Sequence, residues 1–186
     1  MSVLEKVRVT LGTYGEADVR SLLHEDHKKM RELAKELAET PSASRRRNVL
    51  RELKPLLVAH SRSEEDSVYK PLMALRGSAD SRAAANEGMV EHNLTDIVVA
   101  RLANTADSSS DMWKAHAQVL HEALEHHIKE EEHELFEELG EHFSDEEREA
   151  MGGRFIRGRA KLLKQKSPGT APSRARAKSK AQSRAE

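Results

Sequence analysis

The sequence contains no cysteine and few aromatic residues. Its 186 residues include one Trp, two Tyr and three Phe. The absence of cysteine excludes disulfide bonds, thiolate metal sites, iron–sulfur clusters and cysteine nucleophiles. Strand-like alternation of apolar and polar residues is also nearly absent. A composition of 34% charged and 37% hydrophobic residues with few aromatics favours helices over sheets.

Long apolar runs are missing as well. Residues 1–12 contain no apolar stretch long enough for a signal peptide, and no segment approaches the roughly 20 apolar residues of a membrane-spanning helix. We therefore expect a cytoplasmic protein with no membrane partner.

Charge is unevenly distributed along the chain. Residues 154–186 carry eleven Lys and Arg against one Glu, about +10, so a net charge of −1 leaves about −11 for residues 1–153. Beyond residue 166 the basic end lacks interleaved aromatic residues and any recognition motif. This composition favours a solubilising role over contact with nucleic acid.

The spacing of apolar residues predicts an all-α fold. Apolar side chains recur at intervals of three and four over residues 17–39, 43–75, 81–104 and 111–140. Long helices joined by short turns form an up-down-up-down antiparallel four-helix bundle. A capping box, Ser144 to Glu147, predicts a short fifth helix interrupted by Gly152 and Gly153.

Three regions follow from these patterns. We expect a flexible N-terminal arm over residues 1–16, the bundle with its C-terminal helix over residues 17–166, and a disordered basic tail over residues 167–186. Within the second helix, Pro55 and Pro71 predict a kink or a break.

The candidate metal-ligating residues form a pattern of histidines and glutamates that occurs twice in the sequence. His127 and Glu131 lie four residues apart, on one face of a helix, and so do His60 and Glu64. A single histidine precedes each pair: His27 lies 33 residues before His60, and an equivalent histidine, His92, lies 35 residues before His127. The two halves of the bundle therefore repeat, each as a helical hairpin.

These six side chains are predicted to face inward at one level of the bundle. Buried carboxylates and imidazoles are unfavourable by several kcal/mol for each unpaired charge unless a cation compensates them. Four imidazoles and two carboxylates exceed the needs of one tetrahedral zinc. They suit two six-coordinate ions that share both carboxylates and a bridging oxygen, with one position open on each. Ligands without sulfur fit iron, with manganese or zinc as possible substitutes.

Other residues near the pattern have alternative interpretations. His24 could serve as an outer-shell residue or replacement ligand, and Asp96 could supply a seventh ligand, although surface positions are favoured for both. His116 lies about 16 Å along the axis from His127, too far to ligate. Tyr69 could hydrogen-bond a ligand or only pack.

The pattern resembles the hemerythrin-type HHE cation-binding domain. The resemblance covers about residues 17–160 and rests on Asp26-His27, His60-x-x-x-Glu64 followed by Glu65 and Tyr69, Glu91-His92, and His127-x-x-x-Glu131 with Leu135-Phe136. It implies a non-haem diiron site in a four-helix bundle. The four histidines would be terminal ligands, and Glu64 and Glu131 would bridge the irons.

Two departures separate the chain from the oxygen-carrying hemerythrins of invertebrates. Gly88 stands where those proteins have a second histidine, and Glu131 lies one position before their aspartate. Ferritin-like diiron proteins, the competing bundle, need two Glu-x-x-His motifs. Here Glu130-x-x-His133 is the only clean match.

Three functional classes remain open at the level of sequence. The site could bind or sense O2, nitric oxide or peroxide, it could turn over peroxide or reduce nitric oxide, or it could report iron or oxygen as a regulatory module. A polar pocket with Glu65, Tyr69 or Glu130 would favour turnover. A dry pocket lined by Met30, Leu57 and Met89 would favour binding. The oligomeric state is left open.

Overall fold

The computed structural model describes residues 17–165, and its regular elements there are all helical. The helices are α1 (Val19–Glu39), α2 (Ala43–Glu64), α3 (Lys70–Ala74), α4 (Ala79–Asn104), α5 (Asp111–Glu130), α6 (Phe136–His142) and α7 (Asp145–Gln165). A π-helical turn joins α2 to α3 (Glu65–Tyr69), and a second joins α5 to α6 (Glu131–Leu135). The predicted all-α bundle is confirmed. The predicted arm, residues 1–16, and tail, residues 167–186, lie outside the described residues.

Four helical rods form the bundle: α1, α2 with α3, α4, and α5 with α6. Helix α1 packs on α2 and α5, and α4 packs on α5 and α3. Short connections between successive rods give the antiparallel arrangement. Within residues 17–165 no helix combines the length and apolar character needed to cross a membrane.

Hydroxyl and carboxylate caps set where the rods begin. Side chains of Asp18, Ser42, Ser78 and Ser110 each accept a backbone N–H from the first turn of α1, α2, α4 and α5 respectively. Gly77, with φ of +90°, makes the turn before α4. Each rod therefore starts within about two residues of the predicted position.

The fifth helix differs from its prediction. The capping box is confirmed, because Ser144 Oγ accepts from the N–H of Glu147 and the Glu147 carboxylate accepts from the N–H of Ser144. However, α7 is neither short nor interrupted, since it runs for 21 residues through Gly152 and Gly153. A side chain at Gly152 would collide with the carbonyl oxygen of Ala17, so the missing Cβ permits close packing on the start of α1. That packing outweighs the weak helix propensity of glycine.

The prolines also act differently from each other. Helix α2 continues without a break through Pro55, with Leu53 and Leu57 buried on either side of it. Pro71 lies in the first turn after a π-helical turn, so the irregularity expected there takes that form. A π-helical turn is a rare feature that often marks a functional site.

Two apolar clusters fill the interior. One lies towards the α1–α2 turn and includes Leu37, Leu53 and Trp113. The other lies towards the start of α1 and includes Tyr69 and Phe155. Helix α7 closes this second cluster against α1 and α2. The layer between the two clusters holds the polar side chains described next.

Candidate metal centre

Six ionisable side chains converge between the two apolar clusters, each at most 5% exposed. They form two groups whose candidate ligand atoms all lie within 4.8 Å of one another: His27, His60, Glu64 and Glu131, and Glu64, His92, His127 and Glu131. The structure therefore brings together all six residues singled out from the sequence. Both carboxylates are common to the two groups.

The imidazoles point the same ring atom at the shared carboxylates. Nε2 of His60 lies 3.2 Å from Oε2 of Glu64, and Nε2 of His92 lies 3.6 Å from the same oxygen. Nε2 of His27 and of His127 lie 3.2 Å and 3.4 Å from Oε2 of Glu131. Each carboxylate is thus approached by two imidazoles from different helices.

These inward atoms fit a bound cation. All four Nε2 atoms, both oxygens of Glu64 and Oε2 of Glu131 are buried without a hydrogen-bond partner in the described part of the chain. Leaving so many polar atoms unpaired in an apolar interior is costly. Nitrogen and oxygen donors in two compact groups are a ligand set for first-row divalent metals.

The two shared carboxylates lie where α-helix gives way to π-helix. Glu64 is the last residue of α2, and Glu131 is the first residue of the second π-helical turn. The widened turns occur at equivalent points of the two halves, so the structure preserves the internal repeat seen in the sequence.

A second set of acids faces the outer ring nitrogens. Nδ1 of His27 lies 3.0 Å from Glu132, Nδ1 of His92 lies 3.2 Å from Glu65, and Nδ1 of His127 lies 2.7 Å from Glu91. Nδ1 of His60 lies 3.5 Å from Asp26. A carboxylate at Nδ1 fixes the tautomer and directs Nε2 towards a metal.

Arginines hold three of these four outer acids. Arg159, from α7, clamps Asp26 through two hydrogen bonds of 2.6 and 2.7 Å. Arg31 bonds Glu132 at 2.9 Å, and Arg62 bonds Glu65. The negative charge around the histidines is therefore balanced from outside, and α7 contributes directly to the order of the centre.

The close contact of imidazoles and carboxylates shifts the pKa values of the inner groups. Burial lowers the pKa of His60, but the carboxylates of Glu64 and Asp26 outweigh it and raise the pKa to about 10. For His127 burial is outweighed in the same way by Glu131 and Glu91, which raise the pKa to about 9. Burial acts to raise the pKa of Glu131, yet the imidazoles of His127 and His27 hold it well below its usual range. A cation at the centre would replace these protons as the compensating charge.

Aromatic rings fix the imidazoles from the side of the second apolar cluster. Phe136 stacks on His27, and Phe155 of α7 meets His60 edge-on, with ring centroids 6.4 and 5.7 Å apart. Tyr69 stacks on His92 at 5.4 Å. The rotamers of the candidate ligands are therefore constrained by packing as well as by hydrogen bonds.

Tyr69 also bonds a shared carboxylate, because its buried hydroxyl donates to Oε1 of Glu131. Gly88 makes this position possible: a Cβ there would lie 2.3 Å from the Tyr69 oxygen. The tyrosine hydroxyl occupies the space that a side chain on α4 would need. Burial and the carboxylates of Glu131 and Glu64 raise the pKa of Tyr69 well above its usual value, so the phenol remains a neutral donor.

A small cavity of about 20 Å³ lies beside Tyr69 and Glu131, with room for about one water molecule. Its lining is acidic, with the carboxylates of Glu87, Glu91, Glu130, Glu131 and Glu134 together with Gly88. Glu87 and Glu134 are exposed, so the cavity borders the surface between α4 and the second π-helical turn.

The remaining candidates lie outside the two groups. His24 is 57% exposed and contacts Glu132 at 3.0 Å, so it supports the outer acid of His27. Asp96 pairs with Arg62 at the surface of α4. His116 is half-buried in α5 and belongs to neither group. His126, His133 and His142 are exposed, whereas His121 is half-buried.

The roles of the outer acids were not predicted from the sequence, although a signal for them exists. Each acid is the immediate neighbour of a candidate ligand: Asp26 precedes His27, Glu91 precedes His92, and Glu65 and Glu132 follow Glu64 and Glu131. Neighbours on a helix point about 100° apart. Each acid therefore serves the histidine of an adjacent helix, which only the packing of the rods reveals.

Comparison with known proteins agrees with this geometry. The model of the hemerythrin HHE cation binding domain matches residues 18–139, which span the four rods and all six candidate ligands. No curated protein and no solved structure gives a significant match to the chain. Two buried His/Glu groups in a four-helix bundle, matched over most of the chain by this family's model, show that the chain belongs to the hemerythrin HHE cation-binding family.

Proposed function

We propose that the chain is a non-haem diiron protein that binds or senses O2, nitric oxide or peroxide. The observation that carries this proposal is the pair of ligand groups sharing Glu64 and Glu131. Each group offers two imidazoles and two carboxylates, which would hold a first-row ion that prefers up to six donors and would leave positions for a small ligand. Manganese or zinc could occupy the same donors. A cytoplasmic location stays a prediction from the sequence.

The chain's own residues would prepare the centre for a small ligand. Bound iron would supply redox chemistry towards O2, nitric oxide or peroxide. The outer acids hold the imidazoles in one tautomer, while Tyr69 fixes the orientation of the Glu131 carboxylate. The apolar clusters on both sides exclude bulk water from the ligand groups.

The acidic cavity favours a second candidate, turnover of peroxide or reduction of nitric oxide in protection against stress. Reduction of peroxide or of nitric oxide consumes protons, and disproportionation of peroxide transfers protons between its oxygens, so either reaction needs a positioned acid. The cavity lies beside Tyr69 and Glu131, borders the surface at Glu87 and Glu134, and has Glu130 in its lining. By contrast, Met30 and Leu57 are buried in the first apolar cluster, and Met89 packs against the second, so these three side chains form no open dry pocket in the described part of the chain. A regulatory role acting through α7 or the tail stays a prediction.

Metal content tests the assignment of the centre. We expect the protein, loaded anaerobically with ferrous iron and desalted, to retain close to two irons per chain, one for each ligand group. Oxo-bridge charge-transfer bands should appear after exposure to air. The double variant His60→Ala/Glu64→Ala should lose both, because Glu64 belongs to both groups. His133→Ala, an exposed histidine of the second π-helical turn, is the matched control and should keep the wild-type content.

The same preparation separates the candidate functions. A spectrum that shifts reversibly when nitric oxide or peroxide is added and removed would support binding. Catalytic decay of added peroxide, or of nitric oxide when an electron donor is also added, would support turnover if it is lost in the double variant and kept in His133→Ala. Full metal content in the double variant would show that the centre is assigned wrongly.

A further inference from the structure

The outer face of α4 carries an unusual concentration of exposed apolar side chains. Among residues 17–165, the large hydrophobic side chains that are at least half exposed lie only on α4 and α5: Val90, Leu94, Ile97, Met112 and Val119. The outer surfaces of α1, α2 and α7 show none. Scattered exposed apolar residues are ordinary, but a cluster on one face of a bundle marks an interaction surface.

On α4 these residues follow the spacing of a coiled coil. Glu87, Val90, Leu94, Ile97 and Arg101 are all exposed and are separated by three, four, three and four residues. This alternation is the heptad repeat, which keeps one narrow stripe of a helix facing a partner helix. We call these five residues the α4 seam. It extends over about 21 Å of helix.

The two charged residues of the seam favour an antiparallel orientation for a second α4 helix packed against it. Glu87 lies seven residues before Leu94, and Arg101 lies seven residues after it. Neither side chain forms an ion pair within the described residues. If a second copy packed parallel to the first, Glu87 would face Glu87 and Arg101 would face Arg101. In an antiparallel pair centred on Leu94, each Glu87 faces Arg101 of the partner subunit.

We propose that two copies of the chain form an antiparallel homodimer through the α4 seam, with a two-fold axis at Leu94. Val90 of one copy packs beside Ile97 of the partner subunit, and the two Leu94 side chains meet at the axis. In such an isologous contact both subunits use the same surface, so the dimer buries both seams and does not extend into a larger assembly. The seam is opposite the inward face of α4 that carries His92, so pairing leaves the ligand groups intact.

The dimer also has a consequence for the acidic cavity. Glu87 belongs both to the seam and to the lining of the cavity beside Tyr69 and Glu131. Arg101 of the partner subunit would therefore add a cation at the rim of a cavity whose own lining is acidic. Each copy would complete the entrance to the other copy's centre.

Sedimentation velocity over a range of protein concentrations tests the dimer. We expect a mass near twice the 20.9 kDa of one chain for the wild type. Leu94→Glu places like charges at the axis and should sediment as a monomer. Met112→Glu is the matched control, because Met112 is equally exposed but lies on α5 outside the seam, and it should remain a dimer. Unchanged helicity and metal content would show that the variants are folded.

A charge exchange tests the antiparallel register. Glu87→Arg and Arg101→Glu should each weaken the dimer by about tenfold or more, because each places like charges in contact. The double variant Glu87→Arg/Arg101→Glu should recover the wild-type affinity, since the exchanged charges again face opposite ones. In a parallel pair each of these residues would face its own copy, so neither single variant would weaken the dimer. A wild type that is monomeric at every concentration, a Leu94→Glu variant that stays dimeric, or a double variant as weak as the single ones would overturn the proposal.

Discussion

Glu132 shows how a residue outside the ligand groups controls the centre. Its carboxylate accepts from Nδ1 of His27 at 3.0 Å and is held by Arg31 at 2.9 Å and by the exposed His24. Burial acts to raise the pKa of Glu132, but the hydrogen bonds from His27 and Arg31 outweigh it and lower the pKa to about 2. The acid is therefore ionised at neutral pH, and it fixes the histidine that points at Glu131.

Replacing Glu132 by Gln keeps the shape of the side chain and removes its charge. We expect the variant to fold and to bind metal about 10-fold to 100-fold more weakly, the usual effect of losing an outer partner of a ligating histidine. Competition with a chelator of known affinity would measure this. Glu137→Gln, an exposed acid of α6, should leave the affinity unchanged. Equal affinities for both variants would contradict the role given to Glu132.

Among the elements, α7 shows where sequence reasoning succeeds and where it fails. Ser144 and Glu147 predict the start of the helix because capping is a local interaction. Gly152 and Gly153 suggested an interruption because their intrinsic propensity is poor. The contact of Gly152 with Ala17 reverses that conclusion, and such a contact joins segments more than 130 residues apart. The capping box could be predicted because its residues are neighbours in the sequence. The contact between Gly152 and Ala17 could not, because it depends on tertiary packing.

An ion pair ties α7 to the start of α1. The carboxylate of Asp18 caps α1 and accepts from Nε of Arg148 at 2.8 Å. Burial acts to raise the pKa of Asp18, but hydrogen bonds from Arg20 and Arg148 outweigh it and lower the pKa to about 2. Because the pKa in the folded state lies below the unfolded value of about 3.9, the carboxylate stabilises the fold above about pH 4. That contribution is lost as the pH falls towards 2.

We expect Asp18→Asn to lower the free energy of unfolding by roughly 0.5–1 kcal/mol at neutral pH, a modest value because the ion pair is partly exposed to solvent. Asn caps helices nearly as well as Asp, so the loss would report the ion pair. The difference from wild type should shrink below about pH 4, as measured by urea unfolding over a pH series. Asp80→Asn, an exposed acid of α4, should have little effect. A deficit that is independent of pH would argue against the ion pair.

At the scale of the whole molecule, the sequence predicts the bundle and the convergence of the six inner side chains, because both follow from helical periodicity and one repeat. His27 and His92 fall in the middle of inward stripes, so their level in the bundle can be counted. The π-helical turns, the cross-helix acids and the hydroxyl of Tyr69 over Gly88 depend on how the rods are placed against one another. The periodicity of apolar residues within one helix does not determine how that helix is placed against its neighbours.

The centre joins all four rods, so metal binding should stabilise the molecule as a whole. A metal that binds only the folded chain adds about 2.7 kcal/mol when its free concentration is 100 times its dissociation constant. We expect protein stripped by a chelator to remain helical by circular dichroism and to unfold at a lower denaturant concentration than the loaded protein. Reloading should restore the difference. In His60→Ala/Glu64→Ala, stripping should change nothing, because Glu64 is shared by both groups. If loaded and stripped wild-type protein unfolded at the same denaturant concentration, the six side chains would not be cross-linking the rods through a metal.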